Sequence, residues 1–256
     1  MLNDEELTRY ARQIILKEIG GAGQLRLRDA TVTVIGAGGI GSPVVQYIAA
    51  AGVGQLVVID DDVIELSNLQ RQTLFATAER GLPKATQAGD AARRLNPLVR
   101  VQPVLTRLDV VNAEPLLAGA DVVVDGCDNF ATRLAVADAA LALRIPLVSA
   151  AVGQLEGQLA VYRGWEADRP CYRCFVGDAP DRDEASCAEA GVLGPVTGML
   201  GSMAALEAIR AIVPFGYDPA GRLLLIDTLA WRFRTLNLPK DPGCPACAAP
   251  PSSSRP

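Results

Sequence analysis

Short β-branched runs alternate with helically spaced apolar residues through the first 150 positions. Leu7, Tyr10, Ile14 and Ile15 recur at helical intervals behind Asn3 and Asp4, residues that cap helix starts, so the spacing predicts an N-terminal helix ending near Gly20-Gly21. Residues 30–35 (ATVTVI) read as a buried strand, 42–51 as a helix and 56–59 as the next strand. Helix formers fill 84–96, between Pro83, which suits a first helical position, and Pro97, which forbids continuation. Residues 121–125 (DVVVD) form a third strand in this reading, 130–144 a helix and 146–149 a fourth strand. Strands separated by helices predict a Rossmann-like α/β fold, a doubly wound and mainly parallel sheet.

The pattern changes after residue 150. Strand-like segments at 158–162, 223–226 and 231–236 are interrupted by one long helical segment, 197–213, and are expected to extend the sheet with antiparallel strands. Residues 177–190 are acidic and aperiodic, as in a mobile loop, and 249–256 read as a disordered tail.

Composition narrows the chemistry. The net charge of −5 gives no basic field to hold nucleic acid or an anionic membrane surface. The longest uncharged stretch, 191–206, falls short of the about 20 apolar residues a bilayer requires, and Gly and Pro interrupt it. The polar, acidic first residues are unlike a secretory signal, so a cytoplasmic protein is expected. In that compartment the six cysteines point to metal binding or reactivity rather than disulfides. Histidine is absent, which removes Ser-His and Cys-His nucleophiles, His-ligated metals and the usual general base.

Gly36-Ala37-Gly38-Gly39-Ile40-Gly41 follows a strand and opens a helix, matching a dinucleotide fingerprint through Gly36, Gly38 and Gly41. Such glycines let backbone N–H groups approach phosphate at the positive end of a helix. Asp60 ends the next strand, where an acid accepts hydrogen bonds from a ribose. A nicotinamide- or flavin-dependent oxidoreductase fits these residues too. The segment Ser67-Asn68-Leu69-Gln70-Arg71-Gln72 and then Lys84 shift the balance, because two cations suit a triphosphate whose departing pyrophosphate gains charge. Taken singly, Arg71 or Lys84 reads as a solvated surface charge. Asp128-Asn129 follows the third strand at the sheet's carboxyl edge; Asp128 there is either a hard oxygen ligand for Mg²⁺ or, like Asn129, a cap for the helix beginning near Phe130.

Cys171-x-x-Cys174 and Cys244-x-x-Cys247 can each present two thiolates, together completing a tetrahedral Zn²⁺ shell without histidine. Redox dithiols are the alternative. Cys187 lies beside Asp183, Glu184 and Glu189, which raise rather than lower a thiol pKa, and Cys127 at a strand end reads as a small buried residue.

These residues, with Arg9-Tyr10-Ala11-Arg12-Gln13-Ile14, Pro83-Lys84, Cys187-Ala188-Glu189-Ala190-Gly191 and the segment 242–247, carry a resemblance over 5–247 to the sulfur-carrier adenylyltransferases of the ThiF, MoeB and HesA type, relatives of the catalytic core of ubiquitin-activating enzymes. Overall likeness is greatest to the bacterial molybdopterin-synthase adenylyltransferases. The resemblance implies that ATP adenylates the C-terminal carboxylate of a ubiquitin-like carrier ending in Gly-Gly, of the molybdopterin-synthase small-subunit type by preference, or of the thiamine or tRNA-thiolation type. It implies ATP binding by Gly39, Asp60, Asn68, Arg71 and Lys84, with Mg²⁺ at Asp128; Gly36, Gly38, Gly41, Ser67, Leu69, Gln70, Asp128 and Asn129 complete the expected nucleotide-binding set. It also implies a homodimer in which Arg12 reaches the neighbouring subunit's site. The carrier tail passes under the 177–190 loop, and in some relatives the cysteine matching Cys187 takes the acyl group or handles sulfur. The implied adenylating domain is 1–248, with a nucleotide half of about 1–150 and a carrier and zinc half of about 151–248. A rhodanese domain of the kind eukaryotic relatives append is not expected, so the sulfur donor would be a separate protein. Besides the oxidoreductase, a zinc-held binding scaffold without turnover is the remaining alternative.

Overall fold

The structure, a computed structural model, describes residues 1–177 and 191–248. The parallel strands are β1 (Thr31–Ile35), β2 (Gln55–Ile59), β3 (Arg100–Val104), β4 (Val122–Asp125) and β5 (Leu147–Gly153). Antiparallel β6 (Glu156–Tyr162), β7 (Arg222–Asp227) and β8 (Arg232–Asn237) continue the same sheet. The order is β3-β2-β1-β4-β5-β6-β7-β8. Val32 and Val34 of β1 and Val122, Val123 and Val124 of β4 are wholly buried, as expected where helices cover both faces of a parallel sheet.

Helices α1 (Asp4–Arg9), α2 (Ala11–Ile14) and α3 (Gly20–Asp29) precede the sheet. One face packs against α4 (Gly41–Ala51), α5 (Lys84–Leu95) and α9 (Gly194–Ile212), with Val44, Ile48, Ala88, Leu200 and Ala204 in a single core. The other face carries α6 (Ala113–Leu117), α7 (Phe130–Leu143) and α8 (Tyr172–Val176) over Leu117, Val136, Ala140 and Tyr172. No helix among the described residues is long and apolar enough to cross a membrane.

Strand β1 lies between β2 and β4, so the chain leaves β1 toward one side of the sheet and β4 toward the other. The loops following these strands therefore diverge and open a crevice at their carboxyl ends, the usual ligand position in such sheets.

Several elements differ from the sequence reading, which also placed no helix at α6 or α8. The single N-terminal helix is broken at Tyr10, whose ring is buried and whose hydroxyl accepts from Asn96 Nδ2 at 2.8 Å. The chain then resumes helix past Gly20-Gly21 as α3, because Gly23 fits against Val213 and Ile19, and the buried Gln24 donates to the Ala51 carbonyl at 2.9 Å. Packing overrides the low helix propensity of glycine there. Strand β3 escapes notice because Pro103 sits in it, which the sheet tolerates at an edge. Pro83 caps α5 in an extended conformation rather than occupying its first helical position.

Candidate active site

The turn after β1 is shaped by two glycines: Gly36 takes φ +83°, and a Cβ on Gly41 would collide with the Gly36 carbonyl. Asp60 fastens the turn from outside, its Oδ2 accepting from Ala37 N at 2.7 Å and its Oδ1 from Asp62 N at 2.9 Å. The amides of Gly38 and Gly39 donate to no group among the described residues and stand at the start of α4. Burial raises the Asp60 carboxyl above its ordinary range, opposed by the Ala37 N–H and the Lys84 charge.

Lys84 is the first residue of α5 and only 5% of its side chain is exposed, so the solvated-charge reading fails for it. Its Nζ donates to Asp62 Oδ2 at 2.8 Å. Its backbone is tied to the same segment, Lys84 N donating to the Asp62 carbonyl at 2.9 Å. Arg71 is half-buried and aimed by its own turn: Nη2 donates to Asn68 Oδ1 at 3.0 Å and Nη1 to the Ser67 carbonyl at 3.3 Å. Beside it Gln72 is 3% exposed, and its Oε1 has no hydrogen-bond partner among the described residues. A buried amide left unpaired is costly, so an orphan acceptor on a cleft wall marks a place for a ligand donor.

Across the crevice, Asp128 is exposed and its carboxylate has no partner among the described residues. Asn129 performs the capping, its Oδ1 accepting from Thr132 N at 2.9 Å, which leaves Asp128 free as an oxygen ligand. The Cys127 thiol donates to Asp125 Oδ1 at 2.9 Å; burial, then the Asp125 charge, push it well above the ordinary thiol range, so it is no nucleophile.

Gly36, Gly38, Gly39, Asp60, Asn68, Arg71, Lys84, Asp128 and Asn129 all line one cleft of about 490 Å³, a suitable size for a nucleotide. Gly41 lies behind the turn. Ser67, Leu69 and Gln70 do not line the cleft; they form the backbone that presents Asn68 and Arg71, with Leu69 packed on the core. Arg12 sits exposed on α2 and does not line this cleft. Cys187 and the 177–190 loop lie outside the described residues apart from Gly177. Sequence reading missed Gln72, Arg107 and Thr197 as cleft residues. Thr197 stands in the first turn of α9 and touches Gly39, a contact between distant segments; Gln72, by contrast, directly follows Arg71.

The four cysteines converge as their spacing suggests. The Sγ atoms of Cys171, Cys174, Cys244 and Cys247 all lie within 4.8 Å of one another. Cys171 to Cys174 is 3.8 Å, Cys171 to Cys244 3.6 Å and Cys174 to Cys247 3.4 Å. A tetrahedron with Zn–S bonds of about 2.3 Å has S···S edges of about 3.8 Å, so this donor set fits a zinc ion.

A bound nucleotide would thus meet free amides, two fixed cations and a free carboxylate at the switch point of the sheet. Against known proteins, the model of the ThiF family matches residues 10–246. The chain belongs to the ThiF family. It is 46% identical to a Thermus thermophilus sulfur carrier protein adenylyltransferase, over 97% of this chain and 93% of that protein. An Escherichia coli molybdopterin-synthase adenylyltransferase is 40% identical over 96% of this chain and 98% of that protein. The crystal structure of E. coli MccB shares the fold, with a TM-score of 0.83 and 22% identity, over 97% of this chain and 76% of that one. Membership in the ThiF family among such relatives makes the enzyme class adenylyltransferase and does not favour the oxidoreductase alternative.

Proposed function

We propose that this enzyme uses ATP to adenylate the C-terminal carboxylate of a ubiquitin-like sulfur-carrier protein ending in Gly-Gly, with the small subunit of molybdopterin synthase as the preferred carrier type. The observation that carries this reading is the convergence of Gly38, Gly39, Arg71, Lys84 and Asp128 on one cleft at the switch point. A carrier carboxylate oxygen attacks the α-phosphorus of ATP, the bond between the α-phosphorus and the bridging oxygen breaks, and pyrophosphate leaves with that electron pair. No proton moves. A carboxylate is already ionised at neutral pH, so a chain without histidine can catalyse this step. Arg71 and Lys84 stabilise the charge that grows on the departing pyrophosphate, and the glycine turn and Asp60 hold the nucleotide. Asp128 would hold Mg²⁺, which supplies charge neutralisation at the phosphates. The four cysteines would hold a structural Zn²⁺. The activated carrier then passes to a separate sulfur donor, in the cytoplasm.

Carrier-dependent exchange of labelled pyrophosphate into ATP tests the activity, with molybdopterin-, thiamine- and tRNA-type carriers compared. No exchange with any Gly-Gly-ended carrier overturns the proposal.

The working form is proposed to be a homodimer in which Arg12 serves the partner's triphosphate. Arg12 is exposed on α2, and Leu7, Ile15 and Leu16 nearby are exposed apolar side chains, as on a face that packs against another subunit. Arg12→Ala and Asp128→Ala homodimers should both be impaired. Subunit exchange between them should restore roughly a quarter of wild-type activity, because half the dimers are mixed and each mixed dimer has one intact site. An exchanged mixture as inactive as its parents removes Arg12 from the partner's site.

A further inference from the structure

Arg133 lies on α7 one turn beyond the Asn129 cap, and only 9% of its side chain is exposed. Its guanidinium gathers three segments. Nη1 donates to Asp125 Oδ2 at 3.1 Å, at the end of β4, and to Ser149 Oγ at 3.2 Å, in β5. Nη2 donates to the Ala150 carbonyl of β5 at 2.8 Å and to the Cys127 carbonyl in the loop after β4. Asp125 is itself saturated, accepting from Cys127 N at 3.1 Å, from the Cys127 thiol and from Ser149 Oγ at 3.1 Å. Burial works against the charge on Arg133 and Asp125 outweighs it, so the guanidinium stays protonated. The Tyr172 hydroxyl, on the helix between the first two cysteines, faces it as well.

With these bonds made, both Nη groups of Arg133 are committed to protein acceptors, although the residue borders the cleft. What it does is fix the carbonyl of Cys127, the residue immediately before Asp128, against β5. We infer that Arg133 is a positioning residue, which sets the Asp128 carboxylate for its metal ion by clamping the Cys127 carbonyl to the Ser149-Ala150 segment. This inference rests on the reading of Asp128 as the Mg²⁺ ligand. Groups that orient a metal ligand, without touching the metal, typically control metal affinity by 10- to 100-fold. A lysine at this position keeps a positive charge for Asp125 but cannot span both carbonyls, because its ammonium is a point donor without the planar fork.

The test uses the whole protein and Mn²⁺ as the probe, its binding followed by electron paramagnetic resonance in the presence of a non-hydrolysable ATP analogue. Binding of the analogue without metal is measured by calorimetry. Arg133→Lys is expected to weaken Mn²⁺ binding about tenfold, with metal-free nucleotide binding and zinc content unchanged. Ser149→Ala, which leaves the ion pair with Asp125 in place, is expected to show the same pattern at smaller size, and it carries the test if Arg133→Lys does not fold. Asp128→Asn is the reference. If it keeps full Mn²⁺ affinity, the Asp128 reading has failed, and the inference falls with it. If Asp128→Asn loses Mn²⁺ while the folded Arg133 and Ser149 variants bind it as wild type does, the inference alone is overturned. Equal losses of metal-free and metal-dependent nucleotide binding in those variants overturn it too, since they mean a general weakening of the cleft.

Discussion

Lys84→Met separates what the buried lysine does for the fold from what it does for the reaction. Methionine keeps the stem that fills the space at the start of α5 and removes only the cation. The pair it breaks is lopsided: the Lys84 side chain is 5% exposed, but Asp62 is 68% exposed and returns to water unharmed. A pair with so solvated a partner contributes about 0–1 kcal/mol to stability, so the melting temperature should move by no more than about 4 °C. The reaction depends on the charge differently. If Lys84 is a preorganised donor to the leaving pyrophosphate, its loss raises the barrier by about 2.7–4 kcal/mol, or 10²- to 10³-fold in rate. Pyrophosphate exchange at saturating ATP and carrier, run beside calorimetric melting, reads both numbers from one preparation. Asp62→Asn, which leaves the cation in place, should lose much less. A Lys84→Met protein that exchanges within tenfold of wild type, or one whose melting temperature falls by more than about 8 °C alongside its activity, refutes the reasoning.

Metal analysis should return one zinc per chain, and Cys247→Ser should lose it together with much of the stability, since a structural zinc contributes on the order of 10 kcal/mol; a metal-free and fully stable preparation contradicts this. If Asp60 holds the ribose as proposed, nucleotide affinity should depend on pH. Its folded pKa lies above 3.8 through burial; protonation weakens one of the two oxygens that accept from the Ala37 and Asp62 N–H groups and from a ribose hydroxyl, so affinity should fall as pH drops through that raised value. Calorimetric titration should show the step in wild type and not in Asp60→Asn. The sign for stability is the reverse: the contribution of a raised carboxyl is complete below 3.8 and is lost as pH rises through the folded pKa. Affinity that holds steady down to pH 3.8 rules the mechanism out.

The inner parallel strands were legible because burial on both faces forces continuous β-branched runs such as TVTVI and VVVD, which no surface element needs. The glycine turn and the cysteine pairs were legible because their chemistry is local, in one case backbone approach and in the other two thiolates per turn. Strand β3 was not, since RVQPV at an edge is half-exposed and carries a proline. Nor was α3, whose glycines are explained only by what packs on them, Gly23 against Val213 some 190 positions later. Lys84 was named from sequence but its burial was not foreseen, because the partner at 2.8 Å, Asp62, arrives from the loop after β2. The same limit hid Arg133. Its partners Asp125, Ser149 and the Ala150 carbonyl belong to two strands that become neighbours only in the folded sheet, and a lone arginine on a helix predicts surface.

The charge in the cleft bears on which further groups the reaction needs. Asp60, Asp61, Asp62, Glu65 and Asp128 line it, against Arg71, Lys84 and Arg107, because the charge of Arg133 is neutralised from behind by Asp125. Five carboxylates facing three cations make this wall net negative before any nucleotide arrives, in a chain whose overall charge of −5 offers no help at longer range. A triphosphate adds several more negative charges, and a carrier carboxylate must then approach the α-phosphorus against all of them. Like charges brought within a few ångströms of one another in a partly buried cleft cost several kcal/mol unless matched. Among the described residues, the chain's own cleft cations do not match them. The proposed Mg²⁺ at Asp128 and the proposed Arg12 from a second subunit supply the missing positive charge, one from each side of the phosphate chain. On this argument neither proposed cation is an accessory: if the proposal holds, removing either the metal ion or Arg12 should leave the cleft unable to bind a triphosphate and a carrier carboxylate together.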